Sequence, residues 1–417
     1  MTLQITEPAV IDALDRFKNV GQEVATIAIE RDDAINGLML AVLAESHIFM
    51  AGLPGVAKSL VFSQFFSRVE NASIGHYTVT KGSTAETLVG PISLEKMKNE
   101  DRIWYNTKGM LPENDFAYIT EVFKGNAMTL NIALQILNER AFLNSGEVQQ
   151  CPLRTCAADS NEYADSREMA AFWDRFLVRV HVDPIHDFGK KMDMVRQSLV
   201  RGRRFPTSQP GISLQDIKLL NEFRSTITIP AGIEEAALQL YNGLYAEEIK
   251  LGDRRFCDTF YLAAANAMLK GRQEMVTDDL LVFQYTAWNN PDQRKTVQQA
   301  ILGILAPELA NVTKMYDEIT DAYEQFLVKK KDADQSNNTE GRKAAMAASH
   351  EFGQAAEAHI TDIKQHIMKI QRNGRDASLA VEMLQKSNSM VEHATRLAMR
   401  RSGDDFDNNY DPTALAS

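Results

Sequence analysis

Apolar residues recur along this chain with two periods, and the alternation between them organises it. Near the start, Ile11, Leu14, Phe17 and Val20 fall at helical spacing and predict an amphipathic helix. From Asp33 to Glu45 the apolar positions Ile35, Leu38, Leu40, Val42 and Leu43 are too dense for one face, so this second helix is expected to lie buried against a sheet. Ser46–Ala51 (SHIFMA) reads as a short apolar strand, followed by the loop GLPGVAKS and the apolar helical run LVFSQFFSRV. Further short strands are predicted at Phe116–Thr120, Leu153–Ala158 and Leu177–Val182, with a helix over Ala127–Asn138. Strands alternating with helices imply a parallel sheet covered on both faces. Residues 96–110, polar but carrying Trp104 and Tyr105, are expected to form a surface hairpin.

The second half is punctuated differently. Pro206, Pro210 and Gly211 interrupt a basic stretch, RGRRFPTSQPG, which marks a domain boundary near 205. Ser213 to Gly271 reads as mostly helix, and from Thr277 the pattern stays helical. Three long segments, 307–331, 342–371 and 376–401, are separated by DADQSNNTEG and by the turn Asn373–Gly374, the layout of an antiparallel helical array. The final stretch, SGDDFDNNYDPTALAS, carries four Asp and no basic residue and is expected to be disordered.

Composition narrows the choice of chemistry. A chain of 417 residues calls for two or three domains, and 44% hydrophobic residues can supply their cores. No apolar run reaches the roughly 18–20 residues that cross a bilayer, and no signal peptide is read at the start. The three cysteines show no zinc-type spacing and read as reduced thiols, which points to the cytoplasm. A net charge of −11 makes a nucleic-acid partner an unlikely expectation. The eight histidines are scattered without ligand-spaced pairs, against a metal-dependent hydrolase.

The loop Gly52-Leu53-Pro54-Gly55-Val56-Ala57-Lys58-Ser59 nearly fits G-x-x-x-x-G-K-[ST], with Ala57 where the regular motif has glycine. Such a loop curls its backbone N–H groups around phosphate. Lys58 would reach the β- and γ-phosphates and Ser59 would coordinate Mg²⁺. An ordinary glycine-proline loop is the competing reading. The strand before it and the helix after it favour nucleotide binding.

Other residues take on meaning beside that loop. FAYITE ends in Glu121, which could polarise an attacking water, while Thr120 stands where Asp is usual. Read alone, this is equally a buried strand with a chance glutamate at its end. Asn161, in ADSNE, could orient water or touch the γ-phosphate, or simply form a turn. Arg175, in WDRF, could be donated to a neighbour's γ-phosphate, or pair with Asp174 on the surface. Arg254, in GDRRF, could bind phosphate from a lid or be a solvated helix-start residue, with Arg255 its competitor.

Taken in order, AIERDDAI, FMAGLPGVAKSL, GSTAETLVGPISLEKMKNEDRIWYNTKGMLPE, LNIALQILNERAFLNSG, ADSNE, FWDRFLVRVHVD and GDRRF resemble MoxR-type AAA+ ATPases over about residues 20–275. Within them the sequence is most similar to the RavA group, of which the AKS ending is itself a feature. The resemblance implies an α/β P-loop AAA+ core (a parallel sheet flanked by helices) over 1–205, with a helix-2 insert near 86–110. An all-α lid over 206–306, an all-α helical hairpin extension over 307–402 and an acidic tail over 403–417 complete the expected layout. By motif position it makes Gly52 to Leu60 the nucleotide-binding loop, Lys58 and Ser59 its phosphate and metal ligands, and Glu121 the Walker B glutamate. Asn161 becomes sensor 1, Arg175 the arginine finger and Arg254 sensor 2.

The cofactors implied are ATP and Mg²⁺, and the assembly is a hexameric ring. Such a ring acts as a chaperone-like motor that remodels a protein complex, often with a von Willebrand factor A partner. Thr120 departs from the family pattern and sets the expectation that hydrolysis is slow and that Thr120→Asp accelerates it. The alternative is a nucleotide-gated assembly protein with weak or no hydrolysis. A DNA-acting ring is disfavoured by the net charge.

Overall fold

The computed structural model describes residues 3–162, 172–185, 188–202, 209, 211–335 and 339–399. The chain forms two compact units, residues 1–297 and 298–417. The stretch read as a domain boundary lies largely outside the described residues, as does the acidic tail.

The first unit opens with α1 (Pro8–Ile27) and α2 (Asp32–Leu43). Helix α1 buries Val10, Leu14, Phe17, Val20 and Val24. Ile11, expected on that stripe, falls beside it and is exposed, because the buried face runs through Val10 instead. Helix α2 buries both flanks, from Ala34 through Leu43, as its dense pattern predicts. Strand β1 (Ile48–Ala51) leads into the loop and then α3 (Lys58–Phe66). Phe65 of α3 meets Phe17 of α1 edge-on at 5.6 Å between ring centroids. Both rings are fully buried, so truncating either to Ala should cost about 3–5 kcal/mol.

After the two-residue β2 (Val69–Glu70) come β3 (Ile74–Thr78) and the one-turn helix α4 (Glu86–Val89). Helix α5 (Leu94–Glu100) follows, and then β4 (Phe116–Thr120). The region 96–110 is therefore not a hairpin. The Ser93 hydroxyl accepts the Lys96 N–H and caps α5, and Lys96 pairs with Glu100 one turn on at 2.6 Å. Only the base of the insertion is strand-like, where Ile92 bridges Tyr105. The aromatic residues misled because Trp104 is held under Lys96 and Arg102 rather than in a ladder.

Helix α6 (Ala127–Glu139) precedes a hairpin of β5 (Ala141–Asn144) and β6 (Glu147–Gln150), then β7 (Thr155–Ser160) and β8 (Val178–His181). The main sheet has the order β3-β4-β7-β1-β8, all parallel. Strand β1 lies between two strands that follow it in the chain, so the chain reverses its winding direction there. The crevice at the carboxyl end of such a strand is where α/β sheets take ligands.

Helix α7 (Phe188–Arg201) and the short β9 (Ile212–Ser213) lead to α8 (Leu214–Arg224), α9 (Ala231–Ala246) and α10 (Asp253–Leu269). A 3₁₀ segment, Thr277–Tyr285, packs on α10. Its Asp279, fully buried, is neutralised by Arg272 at 2.7 Å. Helix α11 (Gln293–Leu305) follows.

In the second unit α12 (Pro307–Gln335), α13 (Thr339–Arg372) and α14 (Ser378–Met399) lie side by side. Glu308 reaches His366, Glu318 reaches His359 at 3.4 Å and Lys329 reaches Glu351 at 2.7 Å, so α12 and α13 run antiparallel. Thr313 meets Met383 and Tyr323 meets His393, so α14 runs parallel to α12. Ile319, Phe326, Phe352 and Ile363 fill the seam. The three expected segments are thus three helices of one bundle. Among the described residues, no helix is long and apolar enough to cross a membrane.

Candidate nucleotide-binding site

The loop between β1 and α3 is shaped by its small residues. Gly52 has φ of +146°, and a Cβ there would come within 2.3 Å of the Val182 carbonyl oxygen. Ala57 sits at φ 69°, ψ 22°, the left-handed conformation that glycine would adopt without cost. The methyl group is therefore accommodated, but in a strained backbone. Leu53, Pro54 and Gly55 are exposed at the tip, Val56 is buried, Leu60 half-buried, and Ser59 opens to solvent at the head of α3.

Lys58 is 5% exposed and spends all three ammonium protons. It donates to the Gly52 and Leu53 carbonyls at 2.6 and 3.1 Å and to Asn161 Oδ1 at 3.2 Å. Burial lowers its pKa, opposed by the nearby carboxylates of Asp159 and Glu121. Asn161, directly after β7, turns its amide to Glu121, donating to Oε1 at 3.3 Å. Glu121 also faces Lys124 at 3.2 Å. Its backbone is left-handed, φ 56°, ψ 40°, an arrangement that costs a non-glycine residue roughly 1–3 kcal/mol and swings the carboxylate beside the lysine. Sequence reading thus selects Lys58, Glu121 and Asn161 from three separate segments, and the fold joins them in one hydrogen-bonded chain.

Thr120 turns away from this chain. Its hydroxyl donates to Thr78 Oγ1 at 3.0 Å and lies 3.3 Å from the Tyr77 carbonyl, both on β3.

Arg175 and Arg254 lie elsewhere. They line one cavity with Glu45, His47, Arg140 and Tyr261, at the amino end of β1, whereas Lys58 lies beyond its carboxyl end. Burial, and then the Arg254 guanidinium, hold Arg175 below the usual arginine range. The fold therefore does not bring Arg254 to the phosphate loop of its own chain. It does separate Arg254 from Arg255. Arg255 is pinned to Asp174 and to Asn289, the latter at 2.5 Å, while Arg254 is 59% exposed and pairs with Asp258 at 3.4 Å.

Two residues escaped the sequence reading. Arg31, 6% exposed at the start of α2, donates from Nε to the Val56 carbonyl at 2.9 Å and clamps the phosphate loop. In the sequence it reads as one more charge of ERDD. Asp159 lies just past the strand expected over Leu153–Ala158, which the structure carries to Ser160. Asp159 accepts the Glu121 N–H at 3.1 Å and lies 3.8 Å from Lys58 Nζ. Burial raises its pKa, and the Glu121 N–H and Lys58 oppose that shift.

Known proteins resemble the chain over this region. Residues 15–222 match the family model described as the MoxR domain in the MoxR-vWA-beta-propeller ternary systems, and residues 218–301 match an AAA lid domain. Two uncharacterised proteins of Methanocaldococcus jannaschii are each 29% identical to this chain. The first alignment runs over 291 residues, 69% of this chain and 75% of the relative, and the second over 293 residues, 70% and 75%. The crystal structure of a presumed ATPase from Cytophaga hutchinsonii shares the fold with a TM-score of 0.57 at 18% identity, over 71% of this chain and 96% of that one. The two matches overlap at residues 218–222, so residues 15–301 resemble a MoxR-type AAA+ domain followed by its lid.

Proposed function

We propose that the chain is a Mg²⁺-dependent ATPase that binds ATP on Gly52–Ser59 and works as a ring, remodelling a protein complex. The observation that carries this reading is the Lys58–Asn161–Glu121 chain at the mouth of the phosphate loop. A loop that only binds nucleotide has no use for a carboxylate held at a strained backbone beside its lysine. On this reading Lys58 exchanges its carbonyl partners for phosphate oxygens, and Glu121 orients and deprotonates the attacking water. Asn161 ties the two together, so that the base is aligned only when the lysine is. Ser59, with a carboxylate nearby, would hold Mg²⁺, which would supply neutralisation of phosphate charge.

Arg175 and Arg254 then serve the phosphate of an adjacent subunit, since both sit a strand's length from their own loop. That arrangement requires head-to-tail contacts, which close into a ring. The family description names von Willebrand factor A and β-propeller components, and we take a von Willebrand factor A protein as the partner class. Phosphate release by the purified chain, with Glu121→Gln as control and mass measured with and without Mg·ATP, tests the reading. Turnover by a ring that the control abolishes supports it. A ring that forms on ATP without releasing phosphate would favour a nucleotide-gated switch, a reading for which the clamping of Glu121 by Lys124 also speaks.

A further inference from the structure

We propose that Asp159, at the end of β7, supplies the magnesium-associated carboxylate that the neighbouring strand β4 lacks at Thr120, so that the acid has moved one strand towards the phosphate loop. The inference rests on the ATPase reading above and assigns the metal side of the same site.

Strand register carries the first part of the argument. Strands β4 and β7 pair in parallel, with Tyr118 opposite Ala157 and Ile119 opposite Ala158. Continuing the ladder sets Asp159 beside Thr120, and the Glu121 N–H closes on Asp159 Oδ1 at 3.1 Å, as that continuation requires. Side chains alternate along a strand, so Tyr118, Thr120 and Asp159 share one face. That face is the one covered by α3, because Tyr118 stacks on Phe62 at 4.8 Å. Helix α3 begins at Lys58 and Ser59, and Lys58 lies 3.8 Å from Asp159. A carboxylate at this register therefore reaches the same space as one at position 120.

The donors present fit a hard, hydrated cation. Asp159 Oδ1 is engaged by a backbone N–H, while Oδ2 faces Lys58 beyond hydrogen-bonding distance and keeps lone pairs available. The buried Tyr118 hydroxyl lies against the Asp159 carboxylate and favours its charged form. A charged carboxylate beside the phosphate-loop lysine is the kind of oxygen donor that a hydrated Mg²⁺ takes. Thr120 offers nothing comparable, its hydroxyl being turned to Thr78 and the Tyr77 carbonyl.

The test is a titration of Mg²⁺ into the full chain loaded with a non-hydrolysable ATP analogue, alongside analogue affinity in EDTA. Asp159→Asn should weaken Mg²⁺ binding about 10–100-fold, the usual loss when a metal's outer partner is removed, while analogue binding in EDTA persists. Moving the acid back, in Thr120→Asp combined with Asp159→Asn, should restore Mg²⁺ binding. Thr120→Asp alone should not raise it, because the site already has its carboxylate; the sequence alone suggests the opposite. Asp159→Asn with wild-type Mg²⁺ affinity, a double variant as poor as the single, or a tenfold gain from Thr120→Asp alone would each overturn the proposal. If the unaltered chain binds no analogue with or without Mg²⁺, the ATPase reading fails instead.

Discussion

Lys58 and Asn161, 103 positions apart, meet at 3.2 Å, and the same amide touches Glu121 from its other end. An amide side chain is suited to this because its carbonyl accepts from a cation while its NH₂ donates to a carboxylate. Asn161→Ala should therefore lower turnover more than ATP affinity. We expect a loss of about 10²–10³ in kcat, the range for removing one pre-positioned polar group from a reacting centre. Asn161→Asp, which cannot donate to Glu121, should be no better. A larger effect on nucleotide Kd than on kcat would contradict the bridging role.

Lys58→Ala removes the buried ammonium at the mouth of the loop and should abolish tight ATP binding. Nucleotide affinity measured directly, by calorimetry, checks this. Retention of wild-type affinity would sink the assignment of the phosphate loop.

The separation of Arg175 and Arg254 from Lys58 predicts complementation between defective subunits. Lys58→Ala and Arg175→Ala should each be inactive alone. Mixed, each supplies what the other lacks, and about a quarter of wild-type phosphate release should return if subunits assort at random in a head-to-tail ring. Arg254→Ala mixed with Lys58→Ala should behave alike. No recovery in rings proven to be mixed would mean that the arginines do not act across subunits.

Ala57 occupies a backbone conformation in which its methyl group is unfavourable by roughly 1–2 kcal/mol, partly offset because glycine loses more chain entropy on folding. Ala57→Gly should stabilise the first unit by a net amount of about 0.5–1 kcal/mol. Chemical denaturation reads this as a rise in midpoint. An unchanged or lowered midpoint would show that the loop relaxes around the methyl group at no cost.

His47 makes stability depend on pH. It is buried, the Cys156 N–H donates to its Nδ1 at 3.0 Å, and its Nε2 lies 3.0 Å from the Leu137 carbonyl and 2.8 Å from Arg140 Nη1. Burial, with Arg140 and Arg254 nearby, holds its pKa well below 6.5. The unfolded chain therefore takes up a proton near pH 6.5 that the folded chain refuses. Stability is complete above that pH and falls as pH drops below it, by about 1.4 kcal/mol per pH unit until the folded-state pKa is reached. His47→Gln should flatten the profile between pH 5 and 6.5 in unfolding titrations. A slope identical to wild type would show that other groups control it.

The parts of the site that lie close together in the chain were legible in advance. The loop Gly52–Ser59 is announced by its glycines and by the strand and helix around it, and Glu121 by the apolar run it ends. The three long helices of the second unit were legible because their periodicity runs for many turns. Asp159 and Arg31 were not, because their roles exist only across strands or between a helix start and a distant carbonyl. Local patterns give no register between β4 and β7. Trp104 and Tyr105 misled for a related reason, their partners being cations and the β5–β6 hairpin, where Tyr105 exchanges two hydrogen bonds with Asn144.

Strand β8 links the two ends of this machinery. Arg175 stands just ahead of it, and its far end runs into Val182, whose N–H bonds Ala51 and whose carbonyl leaves Gly52 no room for a side chain. Four strand residues span only about 13 Å, and they are clamped along their length to β1. Such a segment behaves as a connecting rod. In the ring proposed above, a pull on Arg175 at one rim would be passed by this stiff segment to the loop at the other.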